Sequence, residues 1–158
     1  MNVFAEQTRS PWMDVKVAKA PVLDSAERAD VAVIGAGIAG LSVAYELLDR
    51  GKSVIVLDRG EIGSGMTART TAHLATALDD NYYQLIKARG VDCARQLYQS
   101  FKASVDRIAA IQTAENIDCD FCRLDGYWIL APTTPASELD DELKACEVVA
   151  FAADLQAH

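Results

Sequence analysis

Three glycines and one acid carry the chemistry this sequence offers. Gly35, Gly37 and Gly40 stand in the run Gly35-Ala36-Gly37-Ile38-Ala39-Gly40. Asp58 follows roughly twenty residues further on, the spacing of a dinucleotide-binding fingerprint. Each has a physical job in that chemistry. Gly35 lets the chain turn tightly off a strand. Gly37, without a side chain, lets a pyrophosphate sit against the backbone. Gly40 lets a helix pack close to the strands. Asp58 can accept hydrogen bonds from ribose hydroxyls.

These residues work only if elements of the right kind hold them. Val31-Ala32-Val33-Ile34 is a short apolar run that leads straight into the glycines. Ile38, Leu41, Tyr45 and Leu48 recur at helical spacing, and Gly51 suits a helix C-terminus. Val54-Ile55-Val56-Leu57 is a second apolar run and ends on Asp58. The order is strand, glycine turn, helix, strand, acid. A helix N-terminus after the turn would offer unpaired N–H groups and a partial positive charge to phosphates. A lone glycine triplet also makes ordinary turns, but here every flanking part is in register. The class expected is α/β, with a Rossmann-like βαβ unit.

The residues after Asp58 bear on which dinucleotide is bound. They read Arg59-Gly60-Glu61-Ile62-Gly63-Ser64-Gly65-Met66-Thr67-Ala68-Arg69-Thr70-Thr71-Ala72-His73-Leu74. A plain NAD domain would usually leave its second strand through a short loop into a new helix. This chain makes a glycine-rich loop and a small, hydroxyl-bearing segment with an arginine. Through VAVIGAGIAGLSVAYELLDRGKSVIVLD and GSGMTARTTAHL the sequence resembles the D-amino-acid-oxidase-like superfamily of FAD-dependent amine oxidoreductases. It is most similar to a bacterial subgroup, some members of which carry a C-terminal Rieske domain.

The resemblance implies FAD as cofactor. It places Gly35, Ala36, Gly37, Ile38, Ala39, Gly40, Asp58 and Arg59 around the ADP half. It places Gly65, Met66, Thr67, Arg69, Thr70, Thr71, His73 and Leu74 along the pyrophosphate and the inner face of the flavin. It implies an oxidoreductase that oxidises a small-molecule amine or amino acid at the C–N bond by hydride transfer to flavin. No residue stands out as a general base, so no catalytic residue is assigned. Some relatives bond a histidine near this segment covalently to the flavin. His73 does not fall at that place when the glycines are aligned, so the role is not carried over to it. An NAD(P) dehydrogenase is the weaker reading, since Asp58 would repel a 2′-phosphate.

Composition narrows the alternatives. The chain has 158 residues, 51% of them hydrophobic, enough for one ordinary domain with a core. A formal net charge of −8 argues against binding to nucleic acid or to an anionic membrane. No apolar run approaches the roughly 20 residues of a membrane span. The N-terminus lacks the apolar core of a signal peptide, and a cytoplasmic location is expected. Cys119 and Cys122 have CxxC spacing, but no second pair completes a four-cysteine site, so no metal is expected. A Rieske centre needs two cysteines and two histidines, and His73 and His158 have no cysteine at ligand-like spacing.

In chain order, residues 1–28 read as an N-terminal arm broken by Pro11 and Pro21 and anchored by Trp12 and Met13. Residues 29–90 read as the FAD-binding βαβ unit and flavin loop. They finish in a short helix through Tyr82, Leu85, Ile86 and Arg89, capped by Asp79 or Asp80 and ended by Gly90. Residues 91–158 read as the start of a substrate domain. There Asp92 caps a helix with Ala94, Leu97, Tyr98, Phe101, Val105, Ile108 and Ile111 on its apolar face, and Asn116 ends it. Asp125-Gly126 lies between strand-like runs in 117–131 and predicts a hairpin. By resemblance it would be the first hairpin of an antiparallel substrate sheet, incomplete here. Ser137 and Asp140 suggest a capping box for a last helix, from Glu138 to Gln156. Members of the family are longer. The sequence is therefore expected to be an N-terminal portion of a flavoenzyme or a shortened product, inactive in isolation. The alternative is a non-catalytic dinucleotide-binding fragment or subunit, completed by another chain or domain.

Overall fold

A computed structural model describes residues 10–77 and 79–149. The packing divides the chain between His73 and Leu74 into two compact units. Residues 74–90, grouped with the βαβ unit in the sequence reading, thus belong to the second unit.

The first unit is built on β1 (Val31–Ile34), α1 (Ile38–Asp49) and β2 (Val54–Leu57). The strands are parallel, in the register Val31↔Val54, Ala32↔Ile55, Val33↔Val56 and Ile34↔Leu57. Parallel neighbours need a crossover connection, and α1 supplies it, touching both strands. Side chains fix the register at the strand entry. The Asp30 carboxylate accepts the backbone N–H of Ser53 at 2.9 Å and its hydroxyl at 2.8 Å. The backbone N–H of Asp30 donates to the Ser53 hydroxyl at 2.9 Å. These bonds lower the Asp30 carboxyl below its ordinary range.

α1 ends as its sequence predicts. Gly51 adopts φ +72° and donates its N–H to Leu48 O at 2.9 Å, while Lys52 donates to Leu47 O at 3.0 Å. This is a Schellman closure with glycine in the left-handed position. The packing face of α1 includes Gly40, as expected, and leaves the apolar residues that mark the helix largely outside it. Ile38, Leu41 and Leu48 are exposed, and the buried residue of the helix is Ala44. Gly40, one turn earlier, lies against Val33. Close packing of helix on strand requires small residues at the contact, and large apolar residues at helical spacing cannot fill that place.

The second unit is helical among the described residues: α2 (Tyr82–Arg89), α3 (Val91–Ala114) and α4 (Ser137–Val149). Each packs on the other two. Tyr82, Ala94, Ala145, Cys146 and Val149 form the core, with Tyr83, Leu85, Ile86 and Tyr98 packed against it. Gly90, with φ +85°, ends α2 and begins α3. Asn116, with φ +50°, sits just beyond the end of α3; it donates to Thr113 O at 3.2 Å, and Ile117 donates to Gln112 O at 2.9 Å. Neither Asp79 nor Asp80 caps α2, whose N-cap is Asn81. The carboxylate of Glu142, on α4, takes over that role. It accepts the N–H of Tyr82 at 2.9 Å and of Tyr83 at 3.0 Å. Asp92 lies inside the first turn of α3, paired with Arg95, and Ser137 is the first residue of α4.

The predicted hairpin is not formed. Residues 117–131 contain no strand. Leu124, Tyr127 and Ile129 are each more than 80% exposed. An isolated two-stranded hairpin is marginal in water without a surface to pack on, and nothing described covers these side chains. The last helix was expected to reach Gln156; its part beyond 149 lies outside the described residues, as does the arm before residue 10.

Candidate functional site

The glycine turn joins the C-terminal end of β1 to the N-terminus of α1. Gly35 turns with φ +106°, a conformation open to glycine and strained for other residues, and donates its N–H to Leu57 O at 2.7 Å. Gly37 is the N-cap of α1, and no side chain of its own caps the helix. A Cβ on Gly40 would overlap the carbonyl oxygen of Gly35, so this position admits glycine alone without a backbone shift.

Asp58 reaches this turn from the end of β2. Its Oδ2 accepts the N–H of Ala36 at 2.6 Å, and its Oδ1 accepts the N–H of Gly60 at 2.9 Å. These two backbone donors, Ala36 first, hold the carboxyl below its ordinary value of 3.8. The group is therefore an anion at neutral pH. An ionised carboxylate has about four acceptor positions. Ala36 and Gly60 take two of them, and Asp58 as a residue stays exposed.

The loop after Asp58 folds back on the same turn. Gly63, with φ +69°, donates its N–H to Ala36 O at 2.8 Å. Met66–Arg69 forms a single 3-10 turn. From it the Thr67 hydroxyl accepts the N–H of Ile38, the first residue of α1, at 2.9 Å. A hydroxyl accepting that bond keeps its own proton to give. A Cβ on Gly37 would come within 3.2 Å of that oxygen, so a side chain there would fill the space between turn and loop. Arg69 braces the loop, donating to Gly65 O at 2.7 Å.

The structure thus brings Gly35, Ala36, Gly37, Ile38, Gly40, Asp58 and Thr67 together. Arg59 and Ala39 are exposed beside them. Gly65, Met66, Arg69 and Thr70 belong to the loop, with Met66 and Thr70 exposed. Thr71 and His73 are exposed beyond it, and Leu74 opens the second unit. Two residues at the turn were missed in the sequence, Gly60 and Gly63; their glycine-rich context was the available signal. A third, Trp12, was read only as an anchor of the arm. Its indole Nε1–H donates to Thr70 O at 2.8 Å, across 58 positions of sequence. Cys119 and Cys122 are exposed, and no group of three His, Cys, Asp or Glu suited to a metal occurs among the described residues.

A parallel βαβ unit with a glycine turn and an acid at the end of its second strand defines a dinucleotide-binding protein. The chain belongs to the FAD dependent oxidoreductase (DAO) family, which it matches over residues 30–156. It is 31% identical over 85% of its length to a protein of Bacillus subtilis strain 168 named as a Rieske 2Fe-2S iron-sulfur protein, YhfW. It is 35% identical over 81% to the oxidoreductase OrdL of Haemophilus influenzae. It is 32% identical over 80% to the gamma-glutamylputrescine oxidoreductase of Escherichia coli K12. The matched stretches are 26%, 30% and 30% of those relatives, so the chain spans less than a third of their length. No solved structure matches the chain. The family makes FAD the cofactor, and the cradle fits its ADP half: bare backbone at Gly37, a helix N-terminus, and an anionic acceptor beside the turn. No helix among the described residues is long and apolar enough to cross a membrane.

Proposed function

We propose that this chain supplies the ADP-binding half of the FAD site of an amine- or amino-acid-oxidising flavoenzyme. The observation that carries the reading is the convergence of Asp58, the glycine turn and Thr67 at the N-terminus of α1. Asp58 receives the ribose hydroxyls on its remaining acceptor capacity. The backbone at Gly37 lies against the pyrophosphate, and the positive end of α1 stabilises its charge. The Thr67 hydroxyl, already accepting from Ile38, donates its proton to a phosphate oxygen. The small residues Thr70, Thr71 and Ala72 leave room for the ring system. When bound, the flavin supplies the redox chemistry by accepting a hydride from the carbon beside the substrate amine, which leaves as an imine. The gamma-glutamylputrescine oxidoreductase, named for an amine substrate, supports that choice of substrate class. A complementing chain or domain completes the flavin pocket, and the cytoplasm is the site of action.

Two arms test this. The 158-residue chain alone should bind ADP and FAD yet leave the flavin oxidised with every amine supplied. Completed by the corresponding remainder of the gamma-glutamylputrescine oxidoreductase, it should hold FAD that an amine or amino acid bleaches in the absence of oxygen. Bleaching by 2-hydroxy acids or alcohols but by no amine would contradict the substrate class. ADP binding with no FAD uptake in the completed protein would favour a non-catalytic nucleotide module.

A further inference from the structure

The N-terminal arm touches the candidate site at one place. Pro11–Asp14 forms a short 3-10 turn whose N-cap, Ser10, accepts the N–H of Trp12 on its hydroxyl at 3.3 Å. A second closure, Met13 N–H to Ser10 O at 3.0 Å, sets the turn. This presents the Trp12 indole to the loop, where Nε1–H donates to Thr70 O at 2.8 Å. The arm's turn and the Met66–Arg69 turn lie in contact. Thr70 is the C-cap of the latter, and Thr67, three residues earlier, holds the N-terminus of α1. Two hydrogen bonds and one four-residue turn therefore connect the arm to the glycine turn. The region matched to the family begins at residue 30, so nothing in the family match accounts for Trp12.

We infer that Trp12 is a positioning residue for dinucleotide binding: it holds the Met66–Thr70 loop closed so that Thr67 stays on the helix N-terminus and faces the phosphates. This rests on the function proposed above. Free of Trp12, the loop would have to be ordered by the ligand itself, and that ordering cost would appear as weaker binding. Linkage makes the effect reciprocal: a ligand that favours the closed loop must favour the docked arm by the same factor. Trp12 is 44% exposed, so its replacement opens no core cavity. Phenylalanine keeps a ring at this place and removes the N–H donor.

The test uses the 158-residue chain and ADP. The sequence has two tryptophans, Trp12 and Trp128. In Trp128→Phe the emission therefore reports Trp12 alone, and saturating ADP should shift it. In calorimetric titrations Trp12→Phe should bind ADP about 3- to 10-fold more weakly than wild type, the loss of one neutral hydrogen bond. Trp12→Ala should lose at least as much. Wild-type ADP binding, with equal affinity in Trp12→Phe and no change in Trp12 emission, would overturn the inference and leave the function standing. A wild-type chain that does not bind ADP would overturn both. The emission experiment stands without the Trp12 variants, so a variant that failed to fold would not remove the test.

Discussion

Asp58 Oδ2 accepts the N–H of Ala36 at 2.6 Å and so ties the end of β2 to the turn that follows β1. The acid is thus part of the turn's own structure as well as an acceptor facing outward. Removing it should disturb both. The same bond, with the one from Gly60, makes the carboxyl easier to ionise.

That pKa shift has a direction in pH. A depressed carboxyl stabilises the fold above its ordinary value of 3.8, and the contribution is lost as pH falls through its lower folded value. The Asp58 contribution should therefore be lost progressively as pH falls through and below 3.8. Asp58→Asn should flatten the acid limb in part, because Asp30, lowered by Ser53, and Asp106, lowered by Lys102 and Arg123, remain. Thermal midpoints between pH 2 and 6 measure it. An identical acid limb in wild type and variant would show that the carboxylate does not hold the turn.

Gly40→Ala is expected to be among the most damaging single-methyl changes in the chain. The added Cβ meets the Gly35 carbonyl oxygen, which is backbone and cannot rotate away, and it crowds Val33. Overpacking of this kind costs about 1–3 kcal/mol, and a clash with fixed backbone belongs at the upper end. Denaturant unfolding gives the value. A loss below about 0.5 kcal/mol, the range of ordinary surface substitutions, would show that helix and strand have room to part.

Glu142→Ala should destabilise the helical unit by about 1–3 kcal/mol, since the first turn of α2 loses the one carboxylate that takes two of its N–H groups. Unchanged denaturant stability would mean that Asn81 or water replaces the cap at no cost.

The same unit should weaken in alkali. Burial first, then the Glu142 charge, pushes the Cys146 thiol from 9.0 to about 11. Burial first, then Cys146, Tyr98 and Glu142, pushes Tyr82 from 10.0 to about 12. A raised pKa contributes fully below the unfolded value and is lost as pH climbs toward the folded one. Stability should therefore fall from pH 9.0 upward, and Cys146→Ala should fall less between 9.0 and about 11. Parallel pH profiles for the two proteins would contradict this.

The βαβ order was legible because three independent local signals agreed: apolar runs, glycine turn chemistry, and Gly51 at the helix end. The close approach of α1 to the strands was legible at Gly40, while its full packing face was not. Hydrophobic spacing points at Leu41 and Leu48, whereas contact with the strands selects Gly40 and Ala44 for being small. The cap of α2 was misplaced because Glu142 is brought to it by tertiary packing across some 60 residues. Local rules supplied Asp79 and Asp80 instead. The Asp125-Gly126 hairpin failed for the converse reason: its turn signal is local, but a hairpin needs a packed face, and these residues have none described. Trp12 could not be connected to Thr70 from sequence, because no periodicity or spacing links them.

The central claim is that Asp58 receives the adenosine ribose beside the glycine turn. It is tested most directly by titrating wild type and Asp58→Ala with ADP and with 2′,3′-dideoxy-ADP. Hydrogen bonds to a charged group contribute about 1.5–3 kcal/mol each, and the hydroxyls give up water to make them. Wild type should therefore prefer ADP to its dideoxy analogue by about 10- to 100-fold. In Asp58→Ala that preference should shrink to within about threefold, whatever the turn itself has lost. A preference of the same size in both proteins, or none in wild type, would contradict the account.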